Sequence, residues 1–305
     1  MTASTTRRTT PAKHRLAAVS ALAVAGALVL SACGDQTEGA DGGSKKVEGG
    51  SAALNKELPK KVRDAGVLKI GSDVAYAPME FSKGGKTTGV DIDIANALGK
   101  ELGVKVEFKN NTFDNLIPAM QTGRFDIIMS SMTDNKDRQG KVDFVDYFTA
   151  GVSILTKKGN PHELKSLDDL CGKKVSLQRG TVSADIAKAQ NKKCDKPIEV
   201  LPFTKDTEAL LQVRQDRAVA DLNDFPVAAY NAKTSGGGKD FEVVGEQVEA
   251  APYGIAVPKD QKELRDALTK ALDKIIENGE YGKVLKKWNV EQGAVTKAAV
   301  NGGNE

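Results

Sequence analysis

Apolar and polar positions follow two alternating periods along most of the chain. Short apolar runs of strand type, such as Val67–Ser72 and Phe125–Met129, alternate with segments whose apolar residues recur at helical spacing. Asp91–Leu102 is one of these helical segments, and its apolar positions are typical of a helix that packs one face on a sheet. This alternation predicts a doubly wound, parallel α/β sheet.

The same alternation occurs a second time after residue 151. Strands are predicted at Lys174–Leu177, Ile198–Leu201 and Val219–Leu222, with helices between them. Two strand-like crossings, Val152–Thr156 and Tyr253–Val257, suggest a hinge between two α/β lobes. We therefore expect a first lobe formed by 59–151 plus 252–290, a second lobe formed by 152–251, a disordered tail at 291–305, and a ligand site in the cleft.

The first 32 residues are typical of an export signal. Four basic residues precede the apolar run Leu16–Leu30, which is shorter than the ~20 residues that span a bilayer. The run ends in Leu30-Ser31-Ala32-Cys33, which resembles a bacterial lipobox and implies that Cys33 becomes the lipidated (palmitate-bearing) first residue of the mature protein. An ordinary signal peptide with an unrelated Cys is the alternative. The stretch 33–58, rich in Gly, Ser, Glu and Asp at its start, is predicted to be a flexible tether.

Charge and cysteine content narrow the class of protein. The net charge of +3 includes four basic residues of the leader, so the remainder carries −1 and lacks the basic surface of a nucleic-acid-binding protein. Outside the cell, Cys171 and Cys194 are expected to form a structural disulfide, although two separate buried thiols would also fit. The two His residues, His14 and His162, provide neither a Ser–His nucleophile nor a zinc cluster, and no cofactor or metal is indicated.

The segment FDIIMSSMTDNKDR (125–138) carries the strongest candidate chemistry. Ser131 and Thr133 follow the carboxyl end of a predicted strand, and Asp134 or Asn135 is a suitable N-cap for a helix that contains Arg138. Ligands bind at this edge of open α/β sheets. Hydroxyls and free N–H groups beside a guanidinium would suit a small carboxylate. A capped surface helix with a solvated Arg is the alternative.

Several stretches together resemble the family-3 extracellular solute-binding proteins, the amino-acid receptors of ABC importers. The matching stretches follow one another in order and cover about 60–290: IGSDVAYAPMEF (70–81), TGVDIDIANAL (88–98), FDNLIPAMQTGRFDIIMSSMT (113–133), DRQGKVDFVDYF (137–148), LCGKKVSLQRGT (170–181), LNDFPVAAY (222–230) and YGIAVPKD (253–260). The resemblance implies a periplasmic-binding-protein-like fold of type II, in which a two-strand hinge joins two α/β lobes.

The resemblance also implies a site for the ligand carboxylate. Ser131, Thr133 and Arg138 match the carboxylate clamp of the family. Thr181 and the backbone N–H of Val182 match a loop of the second lobe that touches the same carboxylate. Arg138 would supply a planar, permanently charged fork.

The resemblance also implies contacts for the ammonium group and the side chain of the ligand. Asp224 matches the acid that accepts the ligand ammonium. Asp73 matches the acid that holds a polar or cationic side chain, between the ring of Tyr76 and that of Phe113. Gln178 would line the face of the second lobe. A cation held by Asp73 between two rings would gain ~1–2 kcal/mol from cation–π contact when desolvated.

The implied function is capture of an amino acid by lobe closure and its delivery to an ABC permease with a cytoplasmic ATPase. We expect a monomer outside the cell, attached to the outer face of the membrane through its lipid alone, without nucleic-acid partners. Asp73 and the rings of Tyr76 and Phe113 favour arginine, lysine or histidine as the ligand, then glutamine, then cystine. An exported carboxylate-based lyase, similar to cyclohexadienyl dehydratase, and a ligand sensor for a membrane kinase are the alternatives.

Overall fold

The computed structural model describes residues 54–303, so Cys33 and the predicted leader lie outside the described residues. The strands are β1 (Val67–Ser72), β2 (Ala75–Tyr76), β3 (Glu80–Lys83), β4 (Lys86–Thr88), β5 (Lys105–Asn110), β6 (Ile127–Ile128), β7 (Val142–Lys157), β8 (Lys174–Gln178), β9 (Glu199–Phe203), β10 (Ala220–Asp224), β11 (Phe241–Pro258) and β12 (Ala299–Val300). The α-helices are α1 (Lys60–Ala65), α2 (Val90–Leu102), α3 (Leu116–Gln121), α4 (Lys136–Gln139), α5 (Val182–Asn191), α6 (Asp206–Arg214), α7 (Phe225–Thr234), α8 (Lys262–Glu277) and α9 (Glu280–Trp288). Short 3-10 helices lie at Asn55–Glu57, Phe113–Asn115, Leu167–Leu170, Ser235–Gly237 and Glu291–Gly293.

Two long antiparallel strands, β7 and β11, run through the middle of the main sheet. The strand order is β5-β1-β6-β11-β7-β10-β8-β9, with β12 added alongside β7, and β1 pairs with β5 and β6 in parallel. β11 pairs with β7 over its length, with register shifts between Val244 and Val248, between Val248 and Ala251, and between Tyr253 and Gly254. These irregularities lie between the two halves of the sheet, where the sequence predicts the hinge.

Each half of the sheet has its own hydrophobic core. In the first half, α2 and α8 pack Leu98 and Leu272 against the sheet, and both side chains are fully or almost fully buried. In the second half, Leu177 of β8 and Ile186 of α5 belong to a separate buried cluster. The predicted class, a two-lobed α/β fold with a two-strand hinge, is confirmed, and the lobe boundaries of 59–151 plus 252–290 and 152–251 stay a prediction.

Gly89 allows the loop before α2 to pass close to the loop before β3. Its φ of 139° lies in the region that favours glycine, and a Cβ there would come within 2.1 Å of the carbonyl oxygen of Met79. The close approach brings Glu80 beside the first turn of α2. This position matters for the site, because the first turn carries Asp91.

The two predicted irregular segments differ from the structure. The tether was expected to extend to residue 58, but Leu58 is buried and Asn55–Glu57 forms a helical turn. The tail was expected to be disordered from 291, but β12 pairs with β7, and the N–H of Gly302 donates to Asp146 at 2.8 Å. Both segments obtain their order from contacts with distant parts of the chain, which their local composition does not reveal.

Candidate functional site

A cavity between the two lobes brings all ten predicted ligand-contact residues together. The free volume left between its lining atoms is about 20 Å³, so the lining side chains meet closely across it. Its lining consists of those ten residues and Glu80: Asp73, Tyr76, Glu80, Phe113, Ser131, Thr133, Arg138, Gln178, Thr181, Val182 and Asp224. They are contributed by loops and element ends of both lobes, so the cavity depends on how the lobes meet.

The segment after β6 is fixed against the hinge strand β11. The N–H of Asp134 donates to the carbonyl of Pro252 at 2.8 Å, and the N–H of Gly254 donates to the carbonyl of Met132 at 2.9 Å. Ser131 has a φ of 45°, which is uncommon outside glycine and often marks a functional site. Its N–H donates to the buried carboxylate of Asp91 at 2.8 Å, which holds this backbone conformation in place.

Arg138 supplies the positive charge of the cavity wall. The side-chain oxygen of Asn135 accepts from the Arg138 N–H at 3.0 Å, so Asn135 is the N-cap of the short helix α4. The guanidinium donates to the carbonyl of Thr133 at 2.7 Å and, across the cleft, to the carbonyl of Gly180 at 3.0 Å. It also lies over the ring of Phe113, 5.4 Å from the ring centre. Burial lowers the pKa of Arg138 to about 10, so the group stays charged at neutral pH.

Tyr76 and Asp224 join the two lobes through a pair of hydrogen bonds. The Tyr76 hydroxyl donates to Asp224 Oδ2 at 2.8 Å and accepts from the Asp224 N–H at 3.1 Å. Burial raises the pKa of Asp224, whereas hydrogen bonds and the charge of Arg138 lower it. Burial raises the pKa of Tyr76 well above its ordinary value, so the phenol remains a donor.

Asp73 and Gln178 form a second contact across the cleft. Gln178 Nε2 donates to Asp73 Oδ2 at 2.6 Å and to the carbonyl of Thr204 at 2.9 Å. Burial raises the pKa of Asp73, and the bond from Gln178 opposes this effect. Because no Lys or Arg of the described residues forms an ion pair with it, this buried acid would gain from a cationic partner.

Thr181 and Val182 place the start of α5 at the cavity. Thr181 is the residue before the first helical turn, and its hydroxyl donates to the carbonyl of Gln178 at 2.7 Å. The first N–H groups of a helix have no partner within the helix and favour anions. This helix start and the guanidinium of Arg138 line the same cavity.

Glu80 is the one lining residue that the sequence reasoning missed. Its carboxyl group accepts from Ser130 Oγ at 2.8 Å and from Ser131 Oγ at 3.2 Å. The residue is 1% exposed, although the short strand that it begins ends in the exposed residues Ser82 and Lys83. The signal available in the sequence was the Glu within the motif YAPMEF (76–81), but only the structure shows that it is buried.

The remaining predicted features lie away from the cavity. Cys171 and Cys194 form a disulfide in the structure, with Cα atoms 5.5 Å apart, and neither lines the cavity. Within residues 54–303 no group of His, Cys, Asp and Glu is arranged to hold a metal ion. None of the helices in that range is long and apolar enough to cross a membrane.

These observations define a class of protein: a two-lobed binding protein whose cleft offers one guanidinium and several carboxyl groups to a small polar ligand. Residues 68–291 match the family model of bacterial extracellular solute-binding proteins, family 3, and the chain belongs to this family.

Individual relatives agree with this assignment. The chain is 30% identical to an arginine-binding protein of Corynebacterium glutamicum, over 91% of this chain and 93% of that protein. It is 31% identical to the glutamine-binding protein of an ABC transporter of Bacillus subtilis, over 92% and 97%. Both relatives are named for the amino acid that they bind.

Solved structures are similar in fold and in sequence. An ancestral arginine-binding protein bound to arginine is 40% identical, with a TM-score of 0.69 over 73% of this chain and 98% of that one. An ancestral amino-acid-binding protein, a precursor of cyclohexadienyl dehydratase, is 42% identical, with a TM-score of 0.69 over 75% and 97%. The second structure is itself described as a binding protein, so it does not favour the lyase alternative.

Proposed function

We propose that this protein captures a basic or polar L-amino acid outside the cell by closing two lobes around it, and delivers the ligand to an ABC permease. The observation that carries the proposal is the presence of Arg138 and Asp224 in the wall of one cavity. A free amino acid has a carboxylate and an ammonium a few ångströms apart, and it needs one partner of each sign. Charge-assisted hydrogen bonds of this kind are about twice as strong as neutral ones.

The ligand carboxylate would bind at Arg138, with Ser131, Thr133, Thr181 and the N–H of Val182 around it. A guanidinium can offer two parallel N–H donors to a carboxylate. Two of its N–H groups now donate to Thr133 and Gly180, which fix the plane of the fork from both lobes. The carboxylate would therefore meet a charged donor whose orientation is already set.

The ligand ammonium would bind at Asp224. Its carboxylate already accepts from Tyr76, so the ammonium would share this acceptor with a neutral phenol. Burial makes the ionised form of Asp224 costly, and a cation beside it would offset that cost. This pole is common to all amino acids and gives no selectivity among them.

Selectivity would come from the acids and rings around the ligand side chain. Asp73 and Glu80 both line the cavity and would repel a second carboxylate, so glutamate and aspartate are disfavoured. Tyr76 and Phe113 offer ring faces to a flat or cationic group. We rank arginine, lysine and histidine first, glutamine second and cystine third. The arginine-binding and glutamine-binding relatives support this order.

Closure would depend on bonds that cross the cleft. Gln178 contacts Asp73, Tyr76 contacts Asp224, and Arg138 contacts Gly180, with each pair joining different lobes. The ligand would add further contacts to both lobes and so favour the closed form over the open one. The closed form would present a joint surface to the permease, whose ATPase partner drives release into the cell.

We also propose that Cys33 anchors the protein by a lipid to the outer face of the membrane, with part of 33–58 as the tether. The lipobox-like sequence and the membership of an extracellular family support this proposal. Replacing Cys33 with Ser is expected to release the protein into the medium and to abolish labelling with a palmitate analogue. Retention at the membrane after the substitution would contradict it.

A ligand screen tests the proposed function. Protein stripped of bound ligand by unfolding and refolding would be melted with each common amino acid. A ligand present at 100 times its Kd stabilises by about 2.7 kcal/mol, which raises Tm by roughly 5–10 °C for a protein of this size. We expect arginine to give such a shift and glutamate to give none.

Two arginine analogues test each pole separately. Agmatine lacks the carboxylate that Arg138 would bind, and Nα-acetyl-arginine lacks the charged ammonium that Asp224 would bind. Both are expected to fail at concentrations where arginine is saturating. A protein that no amino acid stabilises at millimolar concentration would disprove the proposed function.

A further inference from the structure

Glu80 and Asp91 form a pair of buried carboxyl groups at the wall of the cavity. Glu80 lines the cavity and Asp91 lies in the first turn of α2, and they are 1% and 0% exposed. The hydroxyl of Ser131 lies between them, with its Oγ 3.2 Å from Glu80 Oε2 and 3.4 Å from Asp91 Oδ2. Within residues 54–303 neither carboxyl group forms an ion pair with Lys or Arg.

Two adjacent carboxyl groups without a counter-ion cannot both be ionised at low cost in a protein interior. Burial and then the charge of Asp91 raise the pKa of Glu80 well above its ordinary value. Burial raises the pKa of Asp91 to about 6, while bonds from Tyr147 and Ser131 oppose the rise. The donors therefore favour the charge on Asp91, and the proton stays on Glu80 near neutral pH.

The groups that face this pair do not supply a positive charge. Tyr147 of β7 donates to Asp91 Oδ1 at 2.8 Å, and its own pKa is raised by burial, so it remains neutral. Ser130 Oγ donates to Glu80 and accepts from the N–H of Asp73, whose carboxyl group adds a further acid nearby. In the described lining, Arg138 is the cation, and it is engaged by two carbonyl groups.

We propose that binding of a basic amino acid is coupled to the release of a proton from Glu80. The cationic side chain enters beside Asp73 and Glu80, the O–H bond of Glu80 breaks, the electron pair stays on its carboxylate, and the proton passes to the buffer. A neutral side chain provides no charge to stabilise that carboxylate, so Glu80 keeps its proton. This inference rests on the proposed function, because it requires that an amino acid with a charged side chain binds in the cavity.

The same pair would allow one cavity to accept two ligand classes. With the proton present, the Glu80 side is a neutral hydrogen-bonding wall that suits an amide. Without it, the wall gains a negative charge that suits a guanidinium or an ammonium. Proton linkage of one group changes affinity by up to about tenfold per pH unit, so arginine binding is expected to weaken between pH 7.5 and 5.5 more steeply than glutamine binding.

Isothermal titration calorimetry tests the coupling directly. Binding heats in phosphate and in Tris at pH 7.0 give the number of protons released, because the two buffers differ in ionisation enthalpy. We expect arginine to release about half to one proton more than glutamine. Asp206, whose pKa burial raises to about 7, would respond to the α-ammonium of both ligands, so its contribution cancels in the comparison.

Two variants assign the proton. Glu80→Gln keeps the shape of the side chain without a titrating proton, and it is expected to remove the difference in proton release between arginine and glutamine. Asp91→Asn removes the neighbouring charge, and it is expected to reduce the arginine release at pH 7.0. The proposal is overturned if arginine and glutamine release equal numbers of protons in the wild type. It is also overturned if the difference in proton release between the two ligands is the same in Glu80→Gln as in the wild type. Failure of arginine to bind at all would instead overturn the proposed function.

Discussion

Arg179 Nε lies 2.6 Å from Asp114 Oδ2, and this ion pair joins the two lobes at the edge of the cleft. The side chains keep 51% and 33% of their exposure, and neither residue lines the cavity. Next to the pair, a Cβ on Gly180 would lie 3.0 Å from the Cβ of Asp114, so the lobes are in close contact there. Because the pair crosses the cleft, it would stabilise the closed form of the proposed function.

The first prediction concerns this ion pair. Exposed ion pairs contribute about 0.2–1 kcal/mol, so Arg179→Gln and Asp114→Asn should each weaken arginine binding by about two- to fivefold. The effect comes from a less stable closed form, because neither side chain lines the cavity. Calorimetric titration of both variants and of the double variant would measure the coupling. If the losses of affinity simply add in the double variant, the two side chains do not act as a pair. Salt screens exposed charges, so the loss of affinity caused by each substitution should be smaller at high salt.

A second prediction separates charge from shape at Asp73. Asp73→Asn keeps an oxygen that can accept from Gln178 but removes the negative charge. Hydrogen bonds to charged groups contribute about 1.5–3 kcal/mol, so arginine affinity should fall by roughly ten- to a hundredfold while glutamine affinity changes little. Unchanged arginine affinity would remove Asp73 from the side-chain subsite. The unliganded Tm serves as the control for folding.

The third prediction concerns Asp146, which contacts the C-terminal segment and makes the stability of the protein depend on pH. Burial, with the adjacent Asp134, raises the pKa of Asp146 to about 7. Between about pH 4 and 7 the folded state therefore binds more protons than the unfolded state, and this contribution to stability is lost as the pH rises. Asp146→Asn should remove the loss and raise the free energy of unfolding at pH 8, by on the order of 2 kcal/mol, in urea denaturation.

Asp143 on the same strand provides a control of opposite sign. Burial raises its pKa, but bonds from Asn301, Lys259 and Arg265 outweigh that effect and lower it overall. Its stabilising contribution is present above the pKa of the unfolded state and is lost as the pH falls. Asp143→Asn should therefore destabilise the protein at pH 8. Equal pH profiles for the two variants would show that neither carboxyl group controls the slope.

A fourth prediction concerns the disulfide between Cys171 and Cys194. The bridge spans 23 residues of sequence, and closure of such a loop stabilises by roughly 3 kcal/mol on the entropy model. Replacing both residues with Ser should lower Tm markedly. Arginine affinity should stay within about twofold, because additive effects are expected at sites without shared contacts. A large loss of affinity with unchanged Tm would contradict this separation.

The local pattern of apolar and polar residues was enough to predict helices and strands that depend mainly on their own sequence. β1 has the bounds Val67–Ser72 that the sequence indicates, and β8 extends one residue beyond the predicted Lys174–Leu177. β7 was predicted only in part, since 14 of its 16 residues are buried and the strand has no alternation of apolar and polar positions. The C-terminal strand was missed because its partner, β7, lies about 150 residues earlier in the chain.

Those residues of the candidate site that lie in family motifs could be predicted from the sequence. All ten residues transferred from the family pattern lie in one cavity, although their contact with a ligand stays a prediction. Glu80 was missed because its importance depends on burial beside Asp91, and single-residue reasoning does not give such proximity. The bond between Tyr76 and Asp224, 148 positions apart, could not be read from the sequence for the same reason.

The pairing of β7 with β11 has a consequence for the order in which the chain can fold during synthesis. Residues 254–258 of β11 pair with residues 142–146 of β7, while β8, β9 and β10 are made in between. The first half of the main sheet therefore lacks a central strand until residue 258 has left the ribosome. A chain with this connectivity stays incomplete through most of its synthesis, which suits passage through an export channel before the two halves assemble.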